Sequence, residues 1–184
     1  MSREIHASAL FGACGLHRHR LDRWWSDEPR ALVCGCNPST AGAARNDPTV
    51  CRLRALLRDR PGLGGFTLVN AEDRIATDPA DLARWLAGLD PPALQAQRRA
   101  NLARIRALAE AAALCIVAWG NLVPPGPHAD RVAAALSLDG RRPLYAFGFT
   151  GNGAPIHPLA RGRSRVALGA PLVEWRAGEG GGPA

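Results

Sequence analysis

The sequence predicts a three-layer α/β/α sandwich on a four-stranded, mostly parallel sheet, and three observations carry that expectation. Four short apolar runs, at 31–36, 66–70, 114–118 and 143–147, alternate with segments of helical character. The runs are apolar throughout rather than alternating, as strands covered on both faces are. The order β-α-β-α-β-α-β, with right-handed crossovers, leaves few arrangements besides a parallel sheet with helices on both sides.

The first run, Ala31 to Cys36, ends at Asn37-Pro38. Asn46-Asp47-Pro48 then reads as a helix start, a capping side chain followed by Pro in the first turn, with Val50, Leu53, Leu56 and Leu57 continuing the helix toward Arg60. Pro61 and Gly62 stop it. Phe66 to Asn70 is the second strand. Thr77-Asp78-Pro79 caps a short helix to about Ala87, and 92–113 is a long one, with Leu94, Leu102, Ile105, Leu108 and Ala109 on one stripe. Leu114 to Ala118 is the third strand, 128–138 a helix, and Pro143 to Phe147 the fourth strand.

At 184 residues and 47% apolar, the chain has the length and composition of one globular domain, expected over 1–176 with a flexible Gly-rich tail at 177–184. Its formal net charge is +7, and all 23 basic side chains are arginine. The lack of lysine fits the Ala, Gly and Pro richness of a GC-rich coding bias, yet a basic domain still attracts polyanions. No run of 18 apolar residues suggests a membrane span, and no apolar leader is visible, so a cytoplasmic protein is expected. Five cysteines (Cys14, Cys34, Cys36, Cys51, Cys115) lack metal-site spacing and are read as reduced, mostly core residues. His17 and His19 have no evident third ligand, so no metal and no cofactor is expected.

Four strings sit where strands run into loops: Asn37-Pro38-Ser39-Thr40, Val69-Asn70-Ala71, Ala118-Trp119-Gly120-Asn121 and Ile156-His157-Pro158-Leu159. In an open α/β sheet this edge is where ligands bind. Taken singly, each has a plain structural reading: Asn-Pro is a turn, Asn70 a strand-end residue, Trp119 core, His157 a loop histidine. Beyond His157 the loop Arg161-Gly162-Arg163-Ser164-Arg165 places three cations in five residues, suited to a phosphate backbone.

In order, the strings resemble the motifs of the uracil-DNA glycosylase superfamily: Gly35-Cys36-Asn37-Pro38, Leu68-Val69-Asn70-Ala71, Val117-Ala118-Trp119-Gly120 and His157-Pro158-Leu159-Ala160-Arg161. The Asn-Pro form is most similar to the mismatch-specific branch. Leu159 stands where that pattern has Ser, and no aromatic follows Pro38, which moves the expectation away from plain uracil. Over nearly its full length the chain also resembles a bacterial family of unknown function, DUF1643, through Asn37-Pro38-Ser39-Thr40-Ala41, Asn46-Asp47-Pro48-Thr49-Val50, Val69-Asn70, Ala76-Thr77-Asp78-Pro79, Ala118-Trp119-Gly120 and a segment ending at Pro158.

The glycosylase resemblance implies a uracil-DNA-glycosylase-like sandwich that binds a nucleobase in DNA and hydrolyses the N-glycosidic bond of a damaged, mismatched or modified base. It implies catalytic roles for Asn37 (positioning water), Asp47 (stabilising a cationic sugar) and His157 (a hydrogen bond to the departing base), and base contacts from Asn70, Pro38 and Trp119. Arg18, Arg20, Ser39, Thr40, Arg161, Arg163 and Arg165 are the expected nucleic-acid contacts. The alternatives are a non-catalytic module that binds nucleic acid or a modified nucleotide, and an enzyme on a free nucleoside or nucleotide.

Overall fold

The computed structural model describes residues 4–179, so most of the expected tail, 180–184, lies outside the described residues. The architecture is one seven-stranded mixed sheet with helices on both faces. The strands are β1 (His6–Phe11), β2 (Arg18–Trp24), β3 (Arg30–Gly35), β4 (Gly65–Asn70), β5 (Cys115–Val117), β6 (Leu144–Ala146) and β7 (Val173–Arg176). They lie in the order β1-β2-β4-β3-β5-β6-β7.

The four expected strands are the parallel centre, β4-β3-β5-β6. The expectation of a four-stranded, mostly parallel sheet is corrected at both edges. A hairpin, β1 and β2, pairs antiparallel with β4, and β7 pairs antiparallel with β6. These additions escaped the apolar-run criterion because they are polar or short. β2 reads RHRLDRW, with Arg18, Asp22 and Arg23 buried inside the fold.

The helices are α1 (Pro48–Leu57), α2 (Pro79–Ala87), α3 (Pro91–Glu110) and α4 (Pro127–Ser137). All four begin with Pro in the first turn, and two of the starts also carry a side-chain cap. Asp47 accepts the Val50 N–H at 2.9 Å and Asp78 accepts the Ala80 N–H at 2.8 Å, each just before a Pro with no N–H to leave unpaired. α3 also begins at Pro, but Asp90 makes no capping bond. α4 ends with Leu138 in the left-handed conformation (φ 54°).

Period-2 alternation of the central strands divides the core into two layers. Leu32 and Cys34 of β3 and Val117 of β5 face α2, α3 and α4, among Leu82, Ile105 and Leu136. Ala31, Val33, Phe66, Leu68 and Ile116 face the other way, against Leu53, Leu56 and Leu57 of α1 and the late loop residues Ile156 and Val166. Strand order reverses at β3, flanked by β4 on one side and β5 on the other. The carboxyl ends of these three strands form the crevice of the fold.

Candidate functional site

The crevice beyond β3, β4 and β5 holds a small cavity of about 80 Å³, lined by Arg18, Asn37, Ser39, Asp47, Asn70 and His157 over a floor that includes Val33, Leu68 and Ala118. At roughly 10–15 Å³ per water-sized sphere this is space for about six spheres, the scale of one small ring. Larger hollows lie elsewhere. In the one of about 370 Å³ near the amino end of β3, the central carboxylate of Asp22 accepts from Ser8, Arg20, Thr67 and Arg30.

Three strand ends and one late loop build the site. Asn70 closes β4 and is 4% exposed. Its backbone carbonyl is held by Asn101 of α3 at 3.0 Å, while its side-chain Nδ2 is buried with no partner among the described residues. A Cβ at Gly35 on the neighbouring strand would lie 2.9 Å from Asn70 Oδ1. Glycine there leaves room for the amide.

Asn37 turns the chain out of β3. Its Nδ2 donates to the carbonyls of Ala76 (2.6 Å) and Pro38 (3.1 Å), tying the two loops together. Both of its amide hydrogens are therefore engaged, and Oδ1 is the atom left for a water or ligand. Asp47, 6% exposed, caps α1 and is the one carboxylate lining the cavity.

His157 reaches the cavity because Gly120, at φ 65°, lets the late loop approach closely; a Cβ there would lie 3.2 Å from His157 Cβ. Burial holds the imidazole pKa below its ordinary 6.5, against the opposing pull of Asp47. The Leu159 N–H donates to His157 Nδ1 at 3.2 Å. The neutral ring thus carries its proton on Nε2, as a donor.

The loop carrying Ser39 and Asp47 is itself clamped. Arg23 of β2 is 2% exposed and donates to the carbonyls of Gly42 (2.6 Å) and Arg45 (3.3 Å) and to Asn46 Oδ1 (2.8 Å). Arg18 donates to the Ala41 carbonyl at 2.9 Å. Arg18, Asn37, Pro38, Ser39, Asp47, Asn70 and His157 are thus together, with Pro38 buried in the turn beside the lining residues.

Others are elsewhere. Trp119 is 2% exposed and packs edge-on against Trp175 at 5.5 Å in the opposite core layer. By pleat parity its neighbour Ala118 is the residue that meets the cavity. Arg20 is bound to Asp22 at 2.8 Å, away from the site. Arg18, expected to meet a phosphate backbone, is 2% exposed and so cannot present itself to one. Thr40, Arg161, Arg163 and Arg165 are exposed and line no part of the cavity.

Sequence reasoning missed Arg23 and a polar cluster just past Asn70. Asp73, 3% exposed, accepts from His17 (2.8 Å), His19 (3.0 Å), Gln97 (3.0 Å) and Arg104 (3.2 Å). Glu72 meets Arg98 and His128. The signal was present: two acidic residues directly after an apolar strand, with polar Asn101 inside the apolar stripe of a helix.

Among the described residues no group of three or more His, Cys, Asp or Glu is arranged to hold a metal, and no helix is long and apolar enough to cross a membrane. Burial pushes the thiols of Cys36 and Cys115 up to about 11, as expected of packed cysteines.

No curated protein and no solved structure matches the chain. A family model does, over residues 18–159, a span that takes in β2 to the His157 loop and so every residue lining the cavity. The chain belongs to the DUF1643 family, proteins of unknown function.

Proposed function

We propose that the cavity binds a nucleobase and that the chain hydrolyses the N-glycosidic bond of a damaged, mismatched or modified base in DNA. One observation carries this reading: Asn37, Asp47, Asn70 and His157 converge on a single ring-sized cavity, with the Asn70 amide buried and unpaired in its wall. A buried amide with no partner is uncommon in a folded protein. A base edge bearing an acceptor supplies the missing partner.

In the proposed reaction the base leaves the stack, at a cost of roughly a few kcal/mol, and enters edge-first. Asn70 bonds that edge. Asp47 takes a proton from a water that Asn37 Oδ1 orients, and the water oxygen forms a bond to the anomeric carbon. The bond to the base nitrogen breaks, and its electron pair stays on the base. His157 Nε2–H donates to the developing base anion, an electrostatic contribution strongest in a site closed to water. The exposed cations Arg161, Arg163 and Arg165, just past His157 in the chain, are the proposed phosphate contacts.

The test uses single- and double-stranded oligonucleotides carrying uracil, hypoxanthine, xanthine or mismatched thymine, with abasic sites read by alkaline strand cleavage. The expected result is cleavage at one or more of these, falling about 10²–10⁴-fold in Asp47→Asn while binding persists. Salt-sensitive binding with no abasic sites leaves a binding module, and failure to bind any nucleic acid removes both DNA readings.

A further inference from the structure

Five buried side-chain nitrogen or oxygen atoms lack a partner among the described residues: Arg18 Nε, Ser26 Oγ, Arg54 Nε, Asn70 Nδ2 and His128 Nδ1. Two of them, on Arg18 and Asn70, belong to side chains that line the same small cavity; Ser26 and His128 border two separate, larger hollows. Arg18 is the more unusual. It is 2% exposed and bonds one loop carbonyl, and it makes no ion pair among the described residues. A buried guanidinium with an N–H left unpaired is costly, because its desolvation is only partly repaid.

We propose that Arg18 is a ligand-binding residue and that the ligand is an oxo-rich heterocycle carrying a negative charge on its buried edge, either a diketo base ionised at a ring nitrogen or a pyrimidine bearing a carboxylate. The inference rests on the base-binding reading and narrows its substrate class. The wall carries donors in the guanidinium of Arg18, the Nδ2 of Asn70 and the Nε2–H of His157, beside acceptors on Asp47, Asn37 and Asn70 and the two-way hydroxyls of Ser39 and Thr49; the two of these whose N–H is buried and unpaired, Arg18 and Asn70, are both donors. Amino-bearing bases offer hydrogens to such a wall and leave its donors unpaired, whereas oxo groups accept from them. A planar guanidinium also matches a carboxylate or an ionised lactam better than it matches a neutral edge. Size favours a heterocycle over a whole nucleotide, since about 80 Å³ does not hold a ring and a phosphate together. Burial lowers the Arg18 pKa to about 10, opposed by Asp47 and aided by Arg23, so the guanidinium keeps its charge at neutral pH.

The test is calorimetric titration of the full chain with free orotate, xanthine, uracil, cytosine, adenine, inorganic phosphate and uridine monophosphate. Orotate, and xanthine above its own ionisation, should bind at least tenfold tighter than cytosine or adenine. For the wild-type protein, xanthine affinity should rise as pH carries the ligand into its anion, while cytosine affinity stays flat over the same range. Arg18→Gln should abolish the preference for anions and leave uracil binding within about threefold. Because that variant loses a loop anchor, its melting temperature is measured alongside, and the wild-type pH series decides the matter if it does not fold. Equal or tighter binding of cytosine overturns the proposal and leaves the base-binding reading standing. Arg18-dependent binding of phosphate alone overturns it in favour of a phosphate subsite. If no heterocycle binds at all, the proposal and the base-binding reading fall together.

Discussion

Asn70 and Asp73 are three residues apart at the end of β4 and almost equally buried, at 4% and 3% exposure, yet their surroundings are opposite. Every lobe of the Asp73 carboxylate is engaged, by two histidines, a glutamine and an arginine drawn from β2, the residue before it and α3. The amide of Asn70 lines the cavity, and its Nδ2 has no partner among the described residues. Burial alone would raise the Asp73 pKa; the hydrogen bonds from His17 and Gln97 and the nearby histidine charges outweigh it and hold the carboxyl below its ordinary 3.8. Glu72 behaves in the same way, with His128 and Arg98 overcoming burial. The contrast separates two uses of buried polarity. A saturated group ties elements together, while an unsaturated one stores a cost that a ligand can relieve.

The largest effect should come from breaking the saturated side. Asp73→Ala strands four cationic or donor side chains and should destabilise the fold by about 3 kcal/mol, a large share of a typical total. Urea unfolding at neutral pH measures it; a loss under about 1 kcal/mol would mean the cluster is solvated ornament. The pH dependence has a definite sign. Because the folded-state pKa values of Asp73 and Glu72 are lowered, their contribution is complete above the unfolded values of 3.8 and 4.5 and disappears as pH falls through the lower folded ones. Stability of the wild type should therefore drop steeply below about pH 4, and Asp73→Ala should flatten that drop.

The opposite pattern is expected of Asn70→Ala. It removes a donor that has no partner, so stability should move by less than about 1 kcal/mol in either direction. Base binding or abasic-site formation should fall about tenfold to a hundredfold, the loss of one or two well-placed hydrogen bonds. A destabilised protein with unchanged binding would place Asn70 with Asp73 in the frame. Gly35→Ala sharpens the same point from the neighbouring strand. Its Cβ would stand 2.9 Å from Asn70 Oδ1, so the amide must shift by a few tenths of an ångström, and binding should weaken about threefold to tenfold with Asn70 itself intact.

The same contrast explains which parts could be read from the sequence. β3, β4, β5 and β6 were legible because a strand covered on both faces leaves a run of apolar residues, and Asn37, Asn70 and His157 were legible as polar punctuation at the ends of such runs. β2 was not, because Arg18 and Arg23 are buried on loop carbonyls and Asp22 among its own donors, which hydropathy cannot express: Arg18, Asp22 and Arg23 are 2%, 1% and 2% exposed. Trp119 was misplaced by one step of the pleat. Leu68 and Asn70 share a face of β4, and the same period-2 count on β5 selects Ala118 for the cavity and sends Trp119 to Trp175. The Asp73 cluster depends on partners 54, 56 and 31 residues away in sequence, so the two acidic residues after the apolar strand mark a polar spot without naming what pairs with it.

The smallest effect on the fold, and the sharpest test of its reach beyond the cavity, concerns Arg161, Arg163 and Arg165. All three are exposed and none belongs to either buried cluster, so replacing them together by Gln should leave the unfolding transition where it is. If the loop lies along a nucleic-acid backbone, each cation that meets a phosphate releases counterions, and the slope of log affinity against log salt should become shallower by up to about 2.7 for three contacts on duplex DNA, or about 2.1 on a single strand. The affinity for a free heterocycle should not change, because that ligand never leaves the cavity. A slope unaltered by the triple substitution, with nucleic-acid binding intact, would take this loop out of the interface and move the search for phosphate contacts to the other exposed arginines. Loss of heterocycle binding would show instead that the loop holds His157 in place, making it part of the frame after all.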